Sequence, residues 1–240
     1  MDELWVCHLG TVDYREGLAL QERVRTARQA DEVPDVMLML EHWPVYTRGR
    51  RSGPDELPMG EDWYRAQGID LVNVDRGGKI TYHGPGQLVG YPIVRVDDVM
   101  AYVRTLEAAL AAALHQEGIP AARGRPEDGP DYTGVWVEER KIASIGVHLS
   151  RGVTTHGWAV NVENDLQPFS WVVACGLPEV QMTSLIKETA RPAGQMPCFR
   201  KRAAFQVAQA LGRRQRLMSR VRLEAALGSV PAPAGAVAAV

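Results

Sequence analysis

The segment spanning residues 134–162 constrains the fold more than any other part of the sequence. It contains three runs of strand type, at residues 134–141, 142–149 and 153–162, separated by short turns. Parallel neighbours need a crossover of about a dozen residues or more, whereas hairpin turns join antiparallel neighbours. The segment therefore predicts an antiparallel meander, and it argues against a doubly wound parallel sheet.

Other segments predict helices and strands in mixed order around this meander. Residues 36–40 are a short continuous apolar run, typical of a strand covered on both faces. Asp13 and Glu16 have the spacing of a capping box at the start of a helix. A further helix is predicted by the apolar spacing of Val99, Val103, Leu106, Leu110 and Leu114, and is expected to end at Gly118.

Together these elements predict one α+β domain built on a single mixed sheet. It is expected to cover residues 1–227, with a late helix over residues 199–211. Residues 228–240 are rich in Ala, Pro and Val and have few large side chains, so they predict a disordered C-terminal tail.

Composition excludes several classes of protein. The 240 residues carry 27 Lys plus Arg against 29 Asp plus Glu, a net charge of -2, which does not indicate a nucleic-acid or membrane-surface binder. No apolar run approaches the ~20 residues that cross a bilayer, and the first residues lack the pattern of a signal peptide. Three widely spaced cysteines, without a Cys-x-x-Cys pair, fit a reducing compartment. A soluble cytoplasmic protein is expected.

Residues 76–87, Arg-Gly-Gly-Lys-Ile-Thr-Tyr-His-Gly-Pro-Gly-Gln, are the densest cluster of candidate functional residues. Adjacent glycines let the backbone approach a ligand closely, and the neighbouring side chains supply polar contacts. The alternative is a tight hairpin that exposes His83. The sequence has neither a Gly-x-x-x-x-Gly-Lys-Ser/Thr phosphate loop nor a Gly-x-Gly-x-x-Gly fingerprint.

Two further side chains are candidates for catalytic roles. Cys175 ends an apolar segment and precedes a glycine, which suits either an exposed nucleophile or an inert buried thiol. Lys141 shares a strand face with Ala143, Ile145 and Val147, so it is either a functional ammonium or a strand-end lysine that reaches solvent. The residues alone leave both questions open.

The last strand of the meander adds small residues on one face. Gly157 and Ala159 either leave room for a ligand or allow close strand packing. His148 and His156 flank the preceding turn, but no His-Glu-x-x-His or Cys/His cluster accompanies them. No metal site is expected.

Taken together, these segments resemble the lipoyl(octanoyl) transferases. The resemblance runs from Leu4 to about Leu211 and rests on the order and spacing of several motifs. They are residues 41–47 (EHWPVYT), 76–88 (RGGKITYHGPGQL), 91–92 (YP), 134–136 (GVW), 140–146 (RKIASIG), 156–161 (HGWAVN) and 175–176 (CG). The chain departs from the family pattern at Trp43 and at Ala174, where prolines are common.

The resemblance implies a fold, an activity and a set of site residues. The fold is that of the catalytic domain of biotin and lipoate protein ligases. Cys175 matches the family nucleophile, and Lys141 matches the lysine that tunes it. The segments that match the acyl-binding pocket contribute Arg76, Gly77, Gly78, Lys79, Ile80, Thr81, Tyr82, His83, Ser144, Ile145, Gly146, Gly157, Trp158 and Ala159.

The implied reaction moves an octanoyl or lipoyl group from acyl carrier protein, through a cysteine thioester, to a lysine. The implied acceptors are the lipoyl domains of 2-oxo acid dehydrogenase complexes and the glycine cleavage H protein. Exchange of one thioester for another and then for an amide needs no ATP, which agrees with the missing phosphate loop. No cofactor is expected, because the octanoyl group arrives on the phosphopantetheine of the carrier protein.

Three alternatives remain open at the level of sequence. The nearest is an ATP-dependent lipoate or biotin protein ligase of the same fold. A second is a module that binds acyl carrier protein without catalysis. A cysteine hydrolase is disfavoured, because no Cys-His-Asn pattern of known spacing is present.

Overall fold

The computed structural model describes residues 2–124, 129, 132–173 and 180–228, which form strands and helices in mixed order. The strands are β1 (Glu3–Val12), β2 (Asp35–His42), β3 (Val45–Arg48), β4 (Asp70–Asn73), β5 (Thr81–His83), β6 (Gln87–Ile93), β7 (Ala122–Arg123), β8 (Gly134–Val137), β9 (Arg140–Ser150), β10 (Val153–Asn161), β11 (Gln181–Met182) and β12 (Arg214–Met218). The helices are α1 (Tyr14–Gln29), α2 (Glu61–Ala66), α3 (Val99–His115), α4 (Leu185–Thr189), α5 (Met196–Ala210) and α6 (Arg220–Leu227).

The main sheet is mixed, as the sequence predicted. Its strands lie in the order β12-β1-β2-β6-β10-β9-β8-β7, and β11 pairs with β9. Strand β1 is parallel to β2 and β12, whereas β6, β10, β9, β8 and β7 pair with their neighbours antiparallel. The predicted meander is therefore confirmed as β8, β9 and β10, and the α+β fold class is confirmed with it.

Helices cover both faces of the main sheet. On one face, α3 and α5 pack over a core that includes Leu106, Leu110, Phe199 and Trp158. On the other face, α1 and α6 pack over a second core around Leu38 and Val89. No helix within the described ranges is long and apolar enough to cross a membrane.

Two helices begin at the residues that the sequence indicated. The Asp13 side chain accepts hydrogen bonds from the backbone N–H groups of Arg15 and Glu16 at the start of α1. Asp98 caps α3 in the same way, through Met100 and Ala101. Each cap satisfies backbone donors that have no partner inside the helix. The α3 helix ends just before Gly118, whose φ of 84° is the left-handed conformation that favours glycine.

A second sheet, β4-β3-β5, lies outside the main sheet. Its core contains Tyr46, Tyr64, Ile80, Tyr82 and Phe169, which pack as a separate apolar cluster. Strands β3 and β5 were not predicted, because runs of three or four residues do not show a period. Strand β4 lies at residues 70–73 and pairs parallel with β3.

The predicted C-terminal boundary falls where the described chain ends. Helix α6 closes at Leu227, and Leu223 and Leu227 are buried in the core beneath α1. Residues 229–240 lie outside the described residues. The tail and the 1–227 boundary stay predictions.

Asp35 joins distant parts of the main sheet. Its side chain is buried and accepts hydrogen bonds from Arg28 of α1 at 2.8 Å, Arg213 beside β12 at 3.0 Å and the backbone of Arg95 at 3.1 Å. A buried carboxylate is tolerated when charged donors satisfy it. This carboxylate therefore connects the first helix, the connection after β6 and the last strand.

Removal of the Asp35 charge is expected to destabilise the fold. We expect Asp35→Asn to lower the free energy of unfolding by about 3 kcal/mol. This value lies at the low end of the cost of breaking a buried ion pair, because the guanidinium groups of Arg28 and Arg213 are partly exposed. Urea denaturation measures the change. Asp62→Asn is the matched control, since its ion pair with Arg65 lies in solvent. Equal stability of the two variants would contradict a structural role for Asp35.

Candidate active site

A cavity that is partly open to solvent lies between the main sheet and the segment that follows β4. Strands β9 and β10 form one wall, and residues 76–81 form the opposite wall. Its lining residues are Tyr14, Arg51, Arg76, Gly77, Gly78, Lys79, Ile80, Thr81, His83, Val89, Tyr91, Thr133, Lys141, Ser144, Ile145, Gly146, His156, Gly157, Trp158 and Ala159. Segments far apart in sequence therefore meet around one space.

Most of the residues matched to the family pocket line this cavity. Tyr82 does not, because β5 turns its ring into the core of the second sheet, against Tyr46 and Phe169. Cys175 and Ala174 lie outside the described residues. The sequence reasoning did not name Tyr14, Arg51, Val89, Tyr91 and Thr133 as pocket residues. Val89 and Tyr91 come from β6 and the other three from separate segments, so no single motif contains them all.

Small residues allow the walls to approach closely. Ser144 lies opposite Ala159, and Gly146 lies opposite Gly157, in the register of β9 and β10. A Cβ atom at Gly157 would lie 2.2 Å from the Gly90 carbonyl oxygen, and one at Gly146 would lie 2.9 Å from that of Gly77. Both interpretations of Gly157 therefore hold, because this glycine permits close strand packing and also lines the cavity.

Buried hydrogen bonds hold the segment at residues 76–80 in place. The Arg76 guanidinium donates to the Thr47 carbonyl oxygen at 2.7 Å and to its hydroxyl at 2.8 Å. The backbone N–H of Gly77 donates to the Val147 carbonyl oxygen at 3.0 Å, so this amide already has an acceptor and is not a ready oxyanion donor. His83 is only 6% exposed. The alternative of a tight hairpin with an exposed histidine is therefore wrong.

Lys141 is buried at one end of the cavity. Its side chain is 2% exposed, and its ammonium lies 5.2 Å from the centre of the Trp136 ring. Its carbonyl oxygen accepts a hydrogen bond from the backbone of Thr183, next to β11. A strand-end lysine that reaches solvent is thus excluded, and a buried ammonium beside an aromatic face remains.

Five aromatic side chains form a continuous buried cluster along the cavity. Tyr14 stacks on His83 with ring centres 5.9 Å apart, and His42 lies 4.8 Å from Tyr14 and 5.8 Å from Tyr91. Tyr91 in turn contacts His156 at 6.4 Å. Helix α1, β2, β5, β6 and β10 each contribute one ring, so only the tertiary fold brings them together.

Hydrogen bonds determine the protonation of His42. Its Nδ1–H donates to the Val12 carbonyl oxygen at 2.9 Å, and its Nε2 accepts from the Tyr91 hydroxyl at 2.7 Å. Burial lowers the pKa of His42 to about 4, although the bond to Val12 opposes the shift. Burial also raises the pKa of Tyr14 to about 12 and that of Tyr91 well above its usual value. This part of the cluster is uncharged at neutral pH.

Farther along β9 and β10 from Lys141, two histidines lie close to the carboxylate of Asp75. His156 Nε2 lies 2.7 Å from Asp75 Oδ1, and His148 Nε2 lies 3.4 Å from Asp75 Oδ2. The hydrogen bond from His156 lowers the pKa of Asp75 to about 2. Strand alternation would place the His156 side chain on the same face as Trp158. The backbone at His156 has a φ of 57° instead, and its ring contacts Asp75 and Tyr91.

The buried imidazole of His42 makes stability depend on pH. Its folded pKa lies below the unfolded value of about 6.5, so the unfolded chain binds the proton first and stability is lost as the pH falls below 6.5. From about pH 7.5 to pH 5 we expect His42 alone to lower the unfolding free energy by roughly 2 kcal/mol.

Urea denaturation of the wild type and of His42→Phe at both pH values measures this contribution. His83 and His156 also have lowered pKa values, so the difference between the two proteins isolates His42. Identical pH dependence of the two proteins would contradict the burial effect at His42.

The chain matches the family model described as the lipoyl protein ligase A/B catalytic domain over residues 13–203. It is 44% identical to an octanoyltransferase of Thermobifida fusca over 196 residues, which cover 76% of this chain and 78% of that protein. It is 48% identical to an octanoyltransferase of Solibacter usitatus over 183 residues, which cover 74% of this chain and 81% of that protein. These matches cover most of the domain described above.

Solved structures show the same fold at lower sequence identity. A bi-partite lipoate protein ligase from Thermoplasma acidophilum is similar with a TM-score of 0.76 at 19% identity, covering 95% of this chain and 91% of that one. Lipoate-protein ligase A bound with ATP is similar with a TM-score of 0.75 at 19% identity, covering 94% and 92%. The resemblance identified in the sequence is thus confirmed: the chain belongs to the lipoyl protein ligase A/B catalytic domain family and, within it, to the octanoyltransferases.

Proposed function

We propose that this enzyme transfers an octanoyl group from acyl carrier protein to a lysine of lipoyl domains, through a thioester on Cys175. The observation that carries the proposal is the cavity, which has small residues along one wall and the buried ammonium of Lys141 at one end. A narrow space between glycine-rich walls fits an extended acyl chain. An ammonium beside the reacting atoms favours a thiolate.

The proposed reaction has two acyl transfers. The thiolate of Cys175 attacks the donor thioester, a new C–S bond forms, the C–S bond to pantetheine breaks, and the pantetheine sulfur leaves as a thiolate. The neutral amine of the acceptor lysine then attacks the enzyme thioester, a C–N bond forms, and the sulfur of Cys175 leaves with the electron pair of the broken C–S bond, while the proton lost from nitrogen neutralises that thiolate. Each step begins from an activated acyl group, so neither needs ATP. Covalent catalysis of this kind predicts ping-pong kinetics.

The other two cysteines are poor candidates for the nucleophile. Cys7 is buried in the core beneath α1, and burial raises its pKa to about 11. Such a thiol is almost entirely protonated at neutral pH. Cys198 is exposed on α5 and does not line the cavity. This contrast supports the assignment to Cys175, which the family resemblance implies.

The proposed partners follow from the same chemistry. The donor is octanoyl-acyl carrier protein, and the acceptors are the lipoyl domains of 2-oxo acid dehydrogenase complexes and the glycine cleavage H protein. We propose that the reaction takes place in the cytoplasm. The main rival is an ATP-dependent ligase, since structures of that activity share the fold. Incubation of enzyme and lipoyl domain with octanoate plus ATP, or with octanoyl-carrier protein alone, separates the two activities.

Mixing the enzyme with octanoyl-acyl carrier protein is expected to add one octanoyl group to Cys175. Intact mass spectrometry detects the adduct, peptide mapping locates it, and addition of a lipoyl domain should discharge it. Cys175→Ala should abolish both the adduct and the transfer, because no second thiol takes over. Cys198→Ala is the matched control and should retain both. Transfer at the wild-type rate by Cys175→Ala would contradict the covalent mechanism.

Lys141→Met is expected to slow transfer by more than its effect on the thiol pKa can explain. A cysteine with a pKa of about 8.5 is about 3% thiolate at pH 7, so pairing with an ammonium raises the thiolate population at most roughly 30-fold. The acceptor lysine must also lose a proton, which costs about 4.6 kcal/mol at pH 7. Proton transfer by a positioned group contributes roughly 10²- to 10⁴-fold.

The two roles of Lys141 are separated by alkylation of Cys175 with iodoacetamide, which reports the thiolate without acyl transfer. Peptide-resolved mass spectrometry is needed, because Cys198 is exposed and also reacts. In Lys141→Met we expect the rate of transfer to fall further than the rate of alkylation. Raising the pH to about 9 should restore transfer only in part, because it ionises the Cys175 thiol but does not replace Lys141 as the group that takes the proton from the acceptor lysine. Equal losses that both recover fully would show that Lys141 acts on the thiol alone.

A further inference from the structure

We propose that the Nε2 atom of His83 accepts a hydrogen bond from the attacking amine of the acceptor lysine and orients that amine toward the acyl carbonyl. This inference rests on the proposed function and deepens it. It assigns a specific task in the second transfer to a residue that the resemblance placed only among the residues of the acyl pocket.

The argument starts from the orientation of the Gln87 side chain. Its Nε2 donates to the Tyr82 carbonyl oxygen at 3.2 Å and to Asn161 Oδ1 at 2.9 Å. A backbone carbonyl only accepts hydrogen bonds, so the nitrogen of this amide must face Tyr82. Asn161 is oriented in the same way, because its Nδ2 donates to the Thr183 carbonyl oxygen at 3.0 Å. The oxygen of the Gln87 amide therefore faces His83.

This orientation determines the tautomer of His83. The distance from His83 Nδ1 to Gln87 Oε1 is 2.7 Å. Since the oxygen accepts, Nδ1 carries the proton, and in a neutral ring Nε2 carries a lone pair. No described residue donates a hydrogen bond to Nε2, and His83 lines the cavity. The cavity thus contains a fixed hydrogen-bond acceptor.

The ring is held neutral and immobile. Burial, with the nearby His42, Arg76 and His156, lowers the pKa of His83 well below 6.5, although the bond to Gln87 opposes the shift. Tyr14 stacks on one face of the ring, and the His42 ring meets it edge-on at 5.7 Å. An imidazole of this kind acts as a hydrogen-bond acceptor rather than as a general base that takes up a proton.

Hydrogen bonds connect this acceptor to the strand that carries Lys141. Gln87 pairs with Asn161, and the adjacent pairs of β10 and β9 place Asn161 beside Ile142, the residue after Lys141. The hydrogen bonds from His83 through Gln87 and Asn161 to Thr183 end beside Lys141, because the Thr183 N–H donates to the Lys141 carbonyl oxygen. A continuous series of hydrogen bonds therefore links the acceptor to the backbone of Lys141, and both residues line the cavity.

In the second transfer, a neutral amine forms the C–N bond with its lone pair and retains two N–H groups until the C–S bond breaks. A hydrogen bond from one N–H group to His83 Nε2 fixes the direction of that lone pair. The electron pair of the broken C–S bond goes to sulfur, and the proton lost from nitrogen balances the thiolate as a thiol. The first transfer has no attacking amine, so His83 has no equivalent task there.

The test measures the two transfers separately. Loading is followed by intact mass spectrometry after addition of octanoyl-acyl carrier protein, and discharge is followed in a single turnover after addition of a lipoyl domain. His83→Phe keeps a ring that can stack on Tyr14 but removes both nitrogens. We expect discharge to slow roughly 10- to 100-fold, the effect of one lost hydrogen bond, while loading is nearly unchanged.

Two further variants keep the test specific. His83→Gln can place an amide oxygen near the position of Nε2 and is expected to recover most of the discharge rate. His115→Phe is the matched control, because it replaces an imidazole on α3 that does not line the cavity and lies outside the aromatic cluster. It should leave loading and discharge unchanged. Normal loading by each variant shows that its cavity is intact.

The ¹⁵N NMR spectrum of the His83 ring provides a readout that is independent of activity. At neutral pH we expect Nδ1 to be protonated and Nε2 to be unprotonated. The opposite tautomer would overturn the proposal, as would unchanged discharge in His83→Phe. Equal loss of loading and discharge would contradict the proposal, because it would indicate that His83 acts on the Cys175 thiol in both transfers. A wild-type protein that neither loads nor transfers would overturn the proposed function itself, and the role of His83 with it.

Discussion

The contact between the segment at residues 76–80 and β9 is the constraint on which the functional part of the structure depends. This segment connects β4 to β5 of the second sheet, and the hydrogen bond from Gly77 to the Val147 carbonyl oxygen attaches it to the main sheet. The approach is possible because Gly146 lacks a side chain, since a Cβ atom there would lie 2.9 Å from the Gly77 carbonyl oxygen. Arg76 holds the other side of the segment through Thr47 of β3. A buried guanidinium with carbonyl and hydroxyl acceptors resists displacement, because each broken bond would leave a polar group unsatisfied. The cavity is therefore the space that remains between the main sheet and the second sheet, which approach closely at Gly77 and Gly146.

The polar groups around this space are arranged so that most of them carry no charge. His42 and His83 each have one ring nitrogen committed to an acceptor, and burial keeps both rings neutral at pH 7. The Tyr91 hydroxyl donates to His42 and is itself difficult to ionise. Neutral rings and hydroxyls cost less to desolvate than charged groups when an acyl chain packs against them, and hydrogen bonds that are already formed need no reorganisation during the reaction. This explains how a cavity lined by histidine and tyrosine can still accept an apolar substrate.

Long periodic segments of the fold could be predicted from the sequence, and short or irregular ones could not. The meander over β8 to β10 and helix α3 follow from alternation and from helical spacing, which act within one element. Strands β3 and β5 become strands through their pairing with each other, which no local pattern contains. The motifs around Arg76, Lys141 and Gly157 were recognised as sequence, and the fold brings them to one cavity. Tyr14 and Tyr91 were missed as lining residues because a helix start and a buried strand supply them from opposite sides. The burial of Lys141 was also unpredictable, since it depends on the Trp136 ring and on the pairing of β11 with β9.

The two ends of the cavity differ in charge, and they are far enough apart for each charge to act locally. Asp75 lies beside His156, which pairs with Val147, whereas Lys141 lies six residues earlier on β9. At about 3.4 Å per residue this spacing is roughly 20 Å. At an effective dielectric constant of about 20, two unit charges roughly 20 Å apart interact by less than about 1 kcal/mol. The ionised carboxylate of Asp75 therefore does little to offset the ammonium of Lys141. A sulfur anion formed beside Lys141 would therefore be stabilised by the nearby positive charge. His148 and His156, at the far end, lie beside the negative charge of Asp75.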